Sequence, residues 1–191
     1  MMNYAYLVGA ENGAGVVAID TAWSADHILR AAKENNKNIE AILLTHAHFD
    51  HCNAAEELAR KIHVPIYVHE LEIEELPGDL DVKATKPDMT IEIAGVSIRC
   101  MHTPGHTPGS QCFLVNDVIF TGDTLFVDGC GRVDLPGSDP RQMVASLSRL
   151  ATLPDQTKIF PGHDYGTSPT TTIGEQKRSN PYLMPGETPP L

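Results

Sequence analysis

The sequence predicts an α/β (α+β) fold in which two β-sheets stack face to face and helices cover their outer sides. Short apolar runs near the N-terminus indicate strands, strands and helices then alternate, and hairpin-like strand pairs follow. Such a mix suits stacked layers around a shared core. A length of 191 residues, 41% of them hydrophobic, fits one domain over 1–191 that can bury a substantial core.

The predicted elements rest on apolar runs bounded by turn residues and on apolar side chains at helical spacing. Strands are expected at Tyr4–Val8, Val16–Ile19, Ile39–Thr45, Pro65–His69, Met89–Ile93, Val96–His102, Ser110–Val115, Val118–Thr121 and Lys158–Phe160. Helices are expected at Ala25–Asn35, Asn53–Ile62 and Asp139–Leu153. We expect a loop over Leu76–Pro87 and a loosely ordered Pro-rich tail from Tyr182.

The charge balance excludes some classes of partner. The chain carries 14 Lys and Arg against 25 Asp and Glu, a formal net charge of -11, which opposes binding to nucleic acid or to anionic membrane surfaces. No stretch reaches the length of a membrane span. Four cysteines occur without a C-x-x-C pair, so we expect reduced thiols and a cytoplasmic location. A small-molecule substrate is the expected partner.

A cluster of potential metal ligands follows the strand predicted at Ile39–Thr45. The segment T-H-A-H-F-D-H at 45–51 supplies His46, His48, Asp50 and His51 within six residues. Histidine and aspartate are preferred ligands of zinc and iron where thiolates are absent. A loop is needed, because a regular strand or helix would point these four side chains in different directions.

Three further segments each place one potential ligand beside a strand end or a tight turn. His106 lies between two Pro-Gly pairs, Asp123 follows an apolar strand, and His163 follows Pro161-Gly162. Alone, each residue is typical of an ordinary turn. Together with the first cluster, they indicate a metal site assembled from four segments.

The four segments resemble the motifs of the metallo-β-lactamase superfamily. T-H-A-H-F-D-H, H-T-P-G-H-T-P-G-S, T-G-D-T-L-F and P-G-H-D-Y occur in that order between roughly Asp20 and His163. The resemblance implies a four-layer αβ/βα sandwich with the site along one edge, and two divalent metal ions, zinc by expectation and iron or manganese as alternatives. The implied ligands are His46, His48 and His106 for the first ion, Asp50, His51 and His163 for the second, and Asp123 bridging both.

The expected chemistry is hydrolysis by a metal-bound hydroxide. Two close divalent ions can share a hydroxide and polarise a carbonyl, and Asp50 would orient that hydroxide as the catalytic residue. The bond attacked would belong to an ester, a thioester or a similar carbonyl compound. The sequence contains no G-x-S-x-G nucleophile motif that would suggest a serine hydrolase.

The segment from Gly122 to Arg132 is further similar to glyoxalase II, the hydroxyacylglutathione thioesterase. The similarity implies that Arg132 and Tyr165 contact the glutathione part of the substrate, and the planar guanidinium suits a carboxylate. Only 28 residues follow His163, so we expect a short glyoxalase II-like hydrolase without the C-terminal helical domain of glyoxalase II.

Other functions stay open at this point. A persulfide dioxygenase resembles glyoxalase II and would bind one iron through His46, His106 and Asp123. A lactonase or another ester hydrolase would use the same centre. A catalytically silent binding protein is disfavoured by the complete ligand set, since clustered charges destabilise a protein without a metal.

Several neighbouring residues receive structural interpretations. Asp20, at a strand end, is expected to support the His46 loop through hydrogen bonds. His102 is expected to stabilise the turn near His106, and an approach of His69 to the site stays open. The acidic run Glu70 to Glu75 is interpreted as a solvated face, and Trp23 as packing.

Overall fold

A computed structural model describes residues 2–183 of the chain. The predicted Pro-rich tail beyond Leu183 lies outside the described residues. Among residues 2–183, every helix is too short or too polar to traverse a lipid bilayer.

The first sheet contains five strands in the order in which they occur along the chain. These are β1 (Tyr6–Val8), β2 (Gly15–Ile19), β3 (Asn38–Leu43), β4 (Ile66–His69) and β5 (Val82–Thr85). β1 pairs antiparallel with β2, whereas β2 through β5 pair in parallel. Parallel strands need crossover connections, which explains why helices alternate with strands in this half.

The second sheet has six strands in the order β13-β12-β9-β8-β7-β6. They are β6 (Thr90–Ile93), β7 (Val96–His102), β8 (Gln111–Val115), β9 (Val118–Gly122), β12 (Lys158–Pro161) and β13 (Thr171–Thr172). Only β9 and β12 pair in parallel. A separate hairpin is formed by β10 (Leu125–Phe126) and β11 (Gly129–Cys130).

Several helices begin where a side chain caps their first turn. The helices are α1 (Ala25–Glu34), α2 (Phe49–Cys52), α3 (Ala55–Ile62), α4 (Pro140–Leu150) and α5 (Ile173–Ser179), with a 3₁₀-helix at Glu70–Glu75. Ser24 accepts a hydrogen bond from the backbone of His27 at the start of α1, and Asp139 caps α4. Such caps satisfy backbone N–H groups that have no partner within the helix.

Three apolar clusters define four layers. The cluster between the sheets combines side chains such as Val17 and Leu43 of the first sheet with Ile98 and Phe113 of the second. A second cluster packs α1 and α3 on the first sheet, and a third packs α4 on the second sheet. The expected four-layer αβ/βα sandwich of the metallo-β-lactamase type is therefore confirmed.

The strand directions bring four loops to one edge of the sandwich. β7, β9 and β12 run in the same direction, so the segments that follow them leave the second sheet at the same end. Gln111 joins this end to the first sheet, because its backbone N–H donates to the carbonyl of Thr45 and its side chain to that of Leu44. The segment after β3 thus meets the other three.

Several predicted boundaries need correction. The predicted helix Asn53–Ile62 is α3, which begins two residues later, at Ala55, and the separate one-turn helix α2 precedes it. The predicted loop Leu76–Pro87 contains β5, whose short sequence V-K-A-T becomes a strand by pairing with β4. The helix α5 was not predicted, although its capping box, in which Thr172 and Glu175 exchange hydrogen bonds, is visible in the sequence.

Candidate metal centre

The segment after β3 presents its polar side chains through a sharp change of backbone direction. His48 is the N-cap of α2 in an extended conformation, and Asp50 and His51 lie within that short helix. His46 lies three residues after the end of β3, and only 1% of its surface is exposed. The turn therefore points all four side chains of the segment toward one point, as the sequence predicts.

All seven predicted ligands come together at this point. Three groups have ligand atoms that lie within 4.8 Å of one another. The first, here called the three-histidine group, is His46, His48 and His106. The second, here called the Asp50 group, is Asp50, His51 and His163. Asp123 forms the third group with His46 and His51, and it lies between the other two.

The separations between these atoms match those of ligands around a metal ion. His48 Nδ1 lies 2.9 Å from His106 Nε2, and His51 Nε2 lies 3.2 Å from His163 Nε2. Asp123 oxygens lie 3.1 Å from His51 Nε2 and 3.3 Å from His163 Nε2. Ligands placed tetrahedrally at zinc–nitrogen bond lengths are about 3.3 Å apart. The donor set therefore fits a transition-metal ion on each side of Asp123.

Three of these ligands contain buried atoms without a hydrogen-bond partner. They are His46 Nε2, Asp123 Oδ1 and His163 Nδ1. A buried polar atom without a partner destabilises a protein by about 1–3 kcal/mol. Coordination of a cation by His46 Nε2 and Asp123 Oδ1 would remove that cost, which supports metal binding here.

Hydrogen bonds on the outer side of the rings fix how two imidazoles face the centre. His51 Nδ1 donates to Asp20 Oδ2 over 2.8 Å, and His106 Nδ1 donates to the carbonyl of Arg132 over 2.8 Å. Because carboxylate and carbonyl oxygens only accept, each Nδ1 carries a proton, and the Nε2 atom of each ring faces inward as the candidate ligand atom. These bonds prepare both rings as metal ligands.

Asp20 also supports the loop, as the sequence predicts. Its Oδ1 accepts the backbone N–H of Thr45 over 2.8 Å, and its Oδ2 accepts the Thr45 hydroxyl over 2.9 Å. The Thr45 hydroxyl in turn lies 3.1 Å from His46 Nδ1. The expected second-layer role of Asp20 is confirmed.

The histidines of the centre differ in the direction in which their surroundings shift the pKa. Burial lowers the pKa of His46 well below its ordinary value, and it also lowers the pKa of His48. Burial opposes protonation of His51 too, but the Asp20 and Asp123 carboxylates outweigh it and raise the pKa of His51 well above its ordinary value. Burial would raise the pKa of Asp123, yet its contacts with His163 and His51 hold that pKa well below the usual range.

Gly162 allows the segments of the centre to approach closely. A Cβ atom at this position would lie 2.7 Å from Asp123 Oδ1 and 2.9 Å from His51 Cε1. Both distances are shorter than van der Waals contact, so a side chain here would displace one of the ligands. The Pro-Gly pair before His163 is therefore required by packing around the centre.

A cleft of about 640 Å³ opens onto the centre. His48, Asp50, His106, Asp123 and His163 form its floor. The walls are mainly apolar or aromatic: Phe49, Phe126, Val127, Leu135, Pro136 and Tyr165. Such a combination of apolar walls and a few convergent polar groups is typical of small-molecule sites.

Both predicted substrate-contact residues line this cleft. The Tyr165 ring stacks on His163, with ring centroids 4.5 Å apart and planes 4° apart, and the residue is 57% exposed. The Arg132 guanidinium is exposed and bonds both carboxylate oxygens of Asp134 over 2.9 Å each. Arg132 is therefore positioned to meet a ligand, but its charge is already paired.

Sequence reasoning missed several residues around the centre. Asn3 Nδ2 donates to Asp50 Oδ2 over 2.9 Å, and Trp23 Nε1 donates to Asn3. Glu72 is 5% exposed, so the interpretation of Glu70 to Glu75 as a solvated face is wrong at this residue. Its carboxylate is buried because backbone and hydroxyl donors surround it. No sequence pattern distinguishes Glu72 or Asn3 from surface residues.

The remaining histidines lie outside the cluster of ligands. His69 stacks on His102, with centroids 4.2 Å apart, and it belongs to none of the ligand groups within residues 2–183. His102 Nε2 donates to the carbonyl of Pro108 over 2.9 Å. This contact confirms the expected role of His102 in the turn that carries His106.

Comparison with known families agrees with this geometry. The model of the metallo-beta-lactamase superfamily matches residues 1–163. This chain belongs to that superfamily. The match spans all seven candidate ligands, and together with the observed cluster it establishes a fold and a site able to bind metal ions.

Two curated relatives are hydrolases by name. The chain is 35% identical over 184 residues to the probable polyketide biosynthesis zinc-dependent hydrolase BaeB of Bacillus velezensis, covering 95% of this chain and 82% of that protein. It is 34% identical over 185 residues to the hydroxyacylglutathione hydrolase GloC of Haemophilus influenzae, covering 86% of this chain and 85% of the relative. This superfamily member is therefore similar to metal-dependent and glyoxalase II-like hydrolases.

One solved structure bears on the number of metal ions. TTHA1623, described in a di-iron-bound form, is 36% identical to this chain, with a TM-score of 0.82 and coverage of 94% of each chain. A related protein of the same fold thus holds two iron ions.

Proposed function

We propose that this protein is a dinuclear metallo-hydrolase that cleaves thioesters of the hydroxyacylglutathione type. The observation that carries the proposal is the convergence of five histidines and two aspartates at the floor of an open cleft. The likeness to a hydroxyacylglutathione hydrolase supports the substrate class. The four free cysteines support a reducing compartment such as the cytoplasm.

We assign the three-histidine group to one divalent ion, the Asp50 group to the other, and Asp123 to both. Zinc suits the nitrogen and oxygen donors, and the name of one relative includes a zinc-dependent hydrolase. Iron suits the same donors and occurs in a solved relative. Bound divalent ions would lower the pKa of a water molecule and polarise a carbonyl oxygen.

Side chains of the cleft would orient the attacking water and shield the acyl group from bulk solvent. Asp50 lies on the floor, where a hydrogen bond from Asn3 fixes its orientation, and its carboxylate would orient the attacking water. Water attacks the thioester carbon, the C–S bond breaks, and the released thiolate takes up a proton. Phe126 and Leu135 would exclude bulk water from the acyl group.

Arg132 and Tyr165 would bind the glutathione part of the substrate. A guanidinium at the rim suits a carboxylate, and an exposed ring provides a flat contact surface. Asp134 would have to share or release Arg132 when the substrate binds, since its carboxylate accepts hydrogen bonds from two N–H groups at one edge of the guanidinium.

One experiment tests the reaction class. Purified protein of measured metal content is assayed for thiol release from S-D-lactoylglutathione and, on the same sample, for oxygen uptake with glutathione persulfide. We expect thiol release and no oxygen uptake. Oxygen uptake with one iron per chain would instead identify a persulfide dioxygenase. Activity toward lactones alone would identify a lactonase rather than a thioesterase.

A further inference from the structure

Glu72 is a buried carboxylate in an otherwise exposed acidic segment. The 3₁₀-helix at Glu70–Glu75 contains four glutamates, and Glu70, Glu74 and Glu75 are exposed to solvent. Only Glu72 is buried, with 5% of its surface accessible. Removing a carboxylate from water is costly unless hydrogen bonds replace its hydration. The contacts of Glu72 must therefore be strong enough to hold it inside.

Those contacts come from two different loops. Glu72 Oε2 accepts the backbone N–H of Ala47 over 2.9 Å. Glu72 Oε1 accepts the backbone N–H of Gly109 over 3.0 Å and the hydroxyl of Thr107. Hydrogen bonds to a charged acceptor each contribute about 1.5–3 kcal/mol. One side chain therefore ties together the segment after β3 and the turn after β7.

Two of the residues that donate hydrogen bonds to Glu72 lie directly beside members of the three-histidine group in the sequence. Ala47 lies between His46 and His48, and Thr107 directly follows His106. Each loop is held by Glu72 at a residue adjacent to a candidate ligand. Because the loops come from different sheets, Glu72 fixes the distance between His48 and His106, whose facing nitrogens are 2.9 Å apart.

The packing of Gly109 supports the same conclusion independently. A Cβ atom at this position would lie 2.2 Å from Glu72 Cγ and 2.8 Å from Glu72 Oε1. The turn therefore approaches the glutamate more closely than any other residue type would allow. Because Gly109 has no side chain, Glu72 can occupy the space beside the turn.

We propose that Glu72 is a positioning residue that holds the His46–His48 loop and the His106 loop together as one preformed metal-binding site. It does not contact the metal or the substrate. It acts by accepting hydrogen bonds beside all three members of the three-histidine group. The inference rests on the metal assignment made above, but not on the identity of the substrate.

The test compares Glu72→Gln with the matched control Glu74→Gln. Both remove one negative charge from the same helix, but Glu74 is exposed. A glutamine at 72 has only one acceptor oxygen, so its NH₂ group must face a donor, Ala47 N–H in the least disruptive orientation. Zinc affinity is measured by chelator competition without any substrate, together with amide exchange at Ala47 and Gly109.

We expect Glu72→Gln to weaken zinc binding at the three-histidine group by roughly 10- to 100-fold, the usual cost of losing an outer hydrogen bond to a metal site. Exchange at Ala47 should become faster, and Glu74→Gln should match the unmodified protein in both measurements. A Glu72→Gln protein that folds and binds both zinc ions with unchanged affinity would overturn the proposal.

Thr107 provides a second pair of variants if Glu72→Gln fails to fold. Thr107→Val removes one of the three donors, whereas Thr107→Ser keeps the hydroxyl. Weaker zinc binding in the valine variant with recovery in the serine variant supports the proposal, and equal affinity in both variants overturns it. Because zinc binding is measured directly, a failed thioesterase assay would count against the proposed substrate and leave this result independent.

Discussion

The two halves of the proposed metal centre have similar candidate ligands but opposite electrostatics. The three-histidine group contains only imidazoles, and burial lowers the pKa values of His46 and His48. The Asp50 group contains a carboxylate, and the neighbouring Asp20 and Asp123 overcome the effect of burial and raise the pKa of His51. A cation therefore finds His46 and His48 without a proton to displace in the first half, but must displace a proton from His51 in the second.

The halves also differ in how they are supported. Glu72 is distant from both loops along the chain, yet it holds the first half together by accepting hydrogen bonds from backbone and hydroxyl donors. Asp20 and Asn3 bond directly to ligands of the second half, His51 and Asp50. Support in the first half thus comes from loop position and a backbone carbonyl that bonds His106, whereas in the second it comes from side chains that bond the candidate ligands directly.

Loss of Asp123 should have the largest effect, because this residue belongs to both halves. We expect Asp123→Ala to lower kcat/KM by roughly 1,000-fold or more, since metal stabilisation of several kcal/mol is lost and each 1.36 kcal/mol is a factor of ten. Steady-state kinetics and metal content check this, with exposed Asp117→Asn as control. Full activity and metal content in Asp123→Ala would contradict a shared position between the ions.

Asp20→Asn should lower metal affinity more at the Asp50 group than at the three-histidine group. The amide keeps one oxygen for Thr45 but offers an N–H donor to His51 Nδ1, which favours the tautomer with the proton on Nε2, the atom that should bind the ion. We expect affinity for the ion of the Asp50 group to fall by roughly 10- to 100-fold, with a smaller change at the three-histidine group. Calorimetric titration with zinc should resolve two classes of site, and equal weakening of both would refute the division.

Lowering the pH should release the two metal ions one after the other. His51, with its raised pKa, holds a proton that competes with the cation near neutral pH, whereas His46, with its lowered pKa, stays neutral. Affinity of the Asp50 group should therefore fall by up to roughly tenfold per pH unit below neutrality, whereas the lowered pKa values of His46 and His48 should make the three-histidine group lose affinity more slowly. Metal-to-protein ratios after dialysis between pH 8 and pH 5 test the order, and simultaneous loss of both ions would contradict it.

The smallest effect should come from the rim of the cleft. Asp134→Asn frees the Arg132 guanidinium, so KM for a glutathione thioester should fall, whereas Arg132→Ala should raise KM by roughly tenfold, the usual value of one charged hydrogen bond. kcat should change little in either variant. If neither variant alters KM, Arg132 does not bind the glutathione part.

The sequence predicted which residues converge at this point because each of them lies beside a strong local signal. His46 to His51 form one dense motif, and His106 and His163 follow Pro-Gly pairs that fix turns. The fold followed from strand and helix patterns together with the family resemblance. β5 was missed because V-K-A-T is short and amphiphilic, and only its pairing with β4 makes it a strand.

The supporting residues could not be predicted for a physical reason. Glu72 stands in an acidic run, and its burial depends on donors supplied by loops more than 20 residues away in either direction. Asn3 reaches Asp50 only because the residues beside it pair with the segment around His163. Such contacts are properties of the tertiary arrangement and leave no local pattern.

Anomalous X-ray diffraction at the zinc edge, on crystals of the zinc-loaded protein, tests the central claim most directly. We expect two peaks, one bounded by His46, His48 and His106 and the other by Asp50, His51 and His163, with Asp123 between them. The absence of any peak at this point would contradict the account. A single peak bounded by His46, His106 and Asp123 would contradict the two-ion centre and favour mononuclear chemistry.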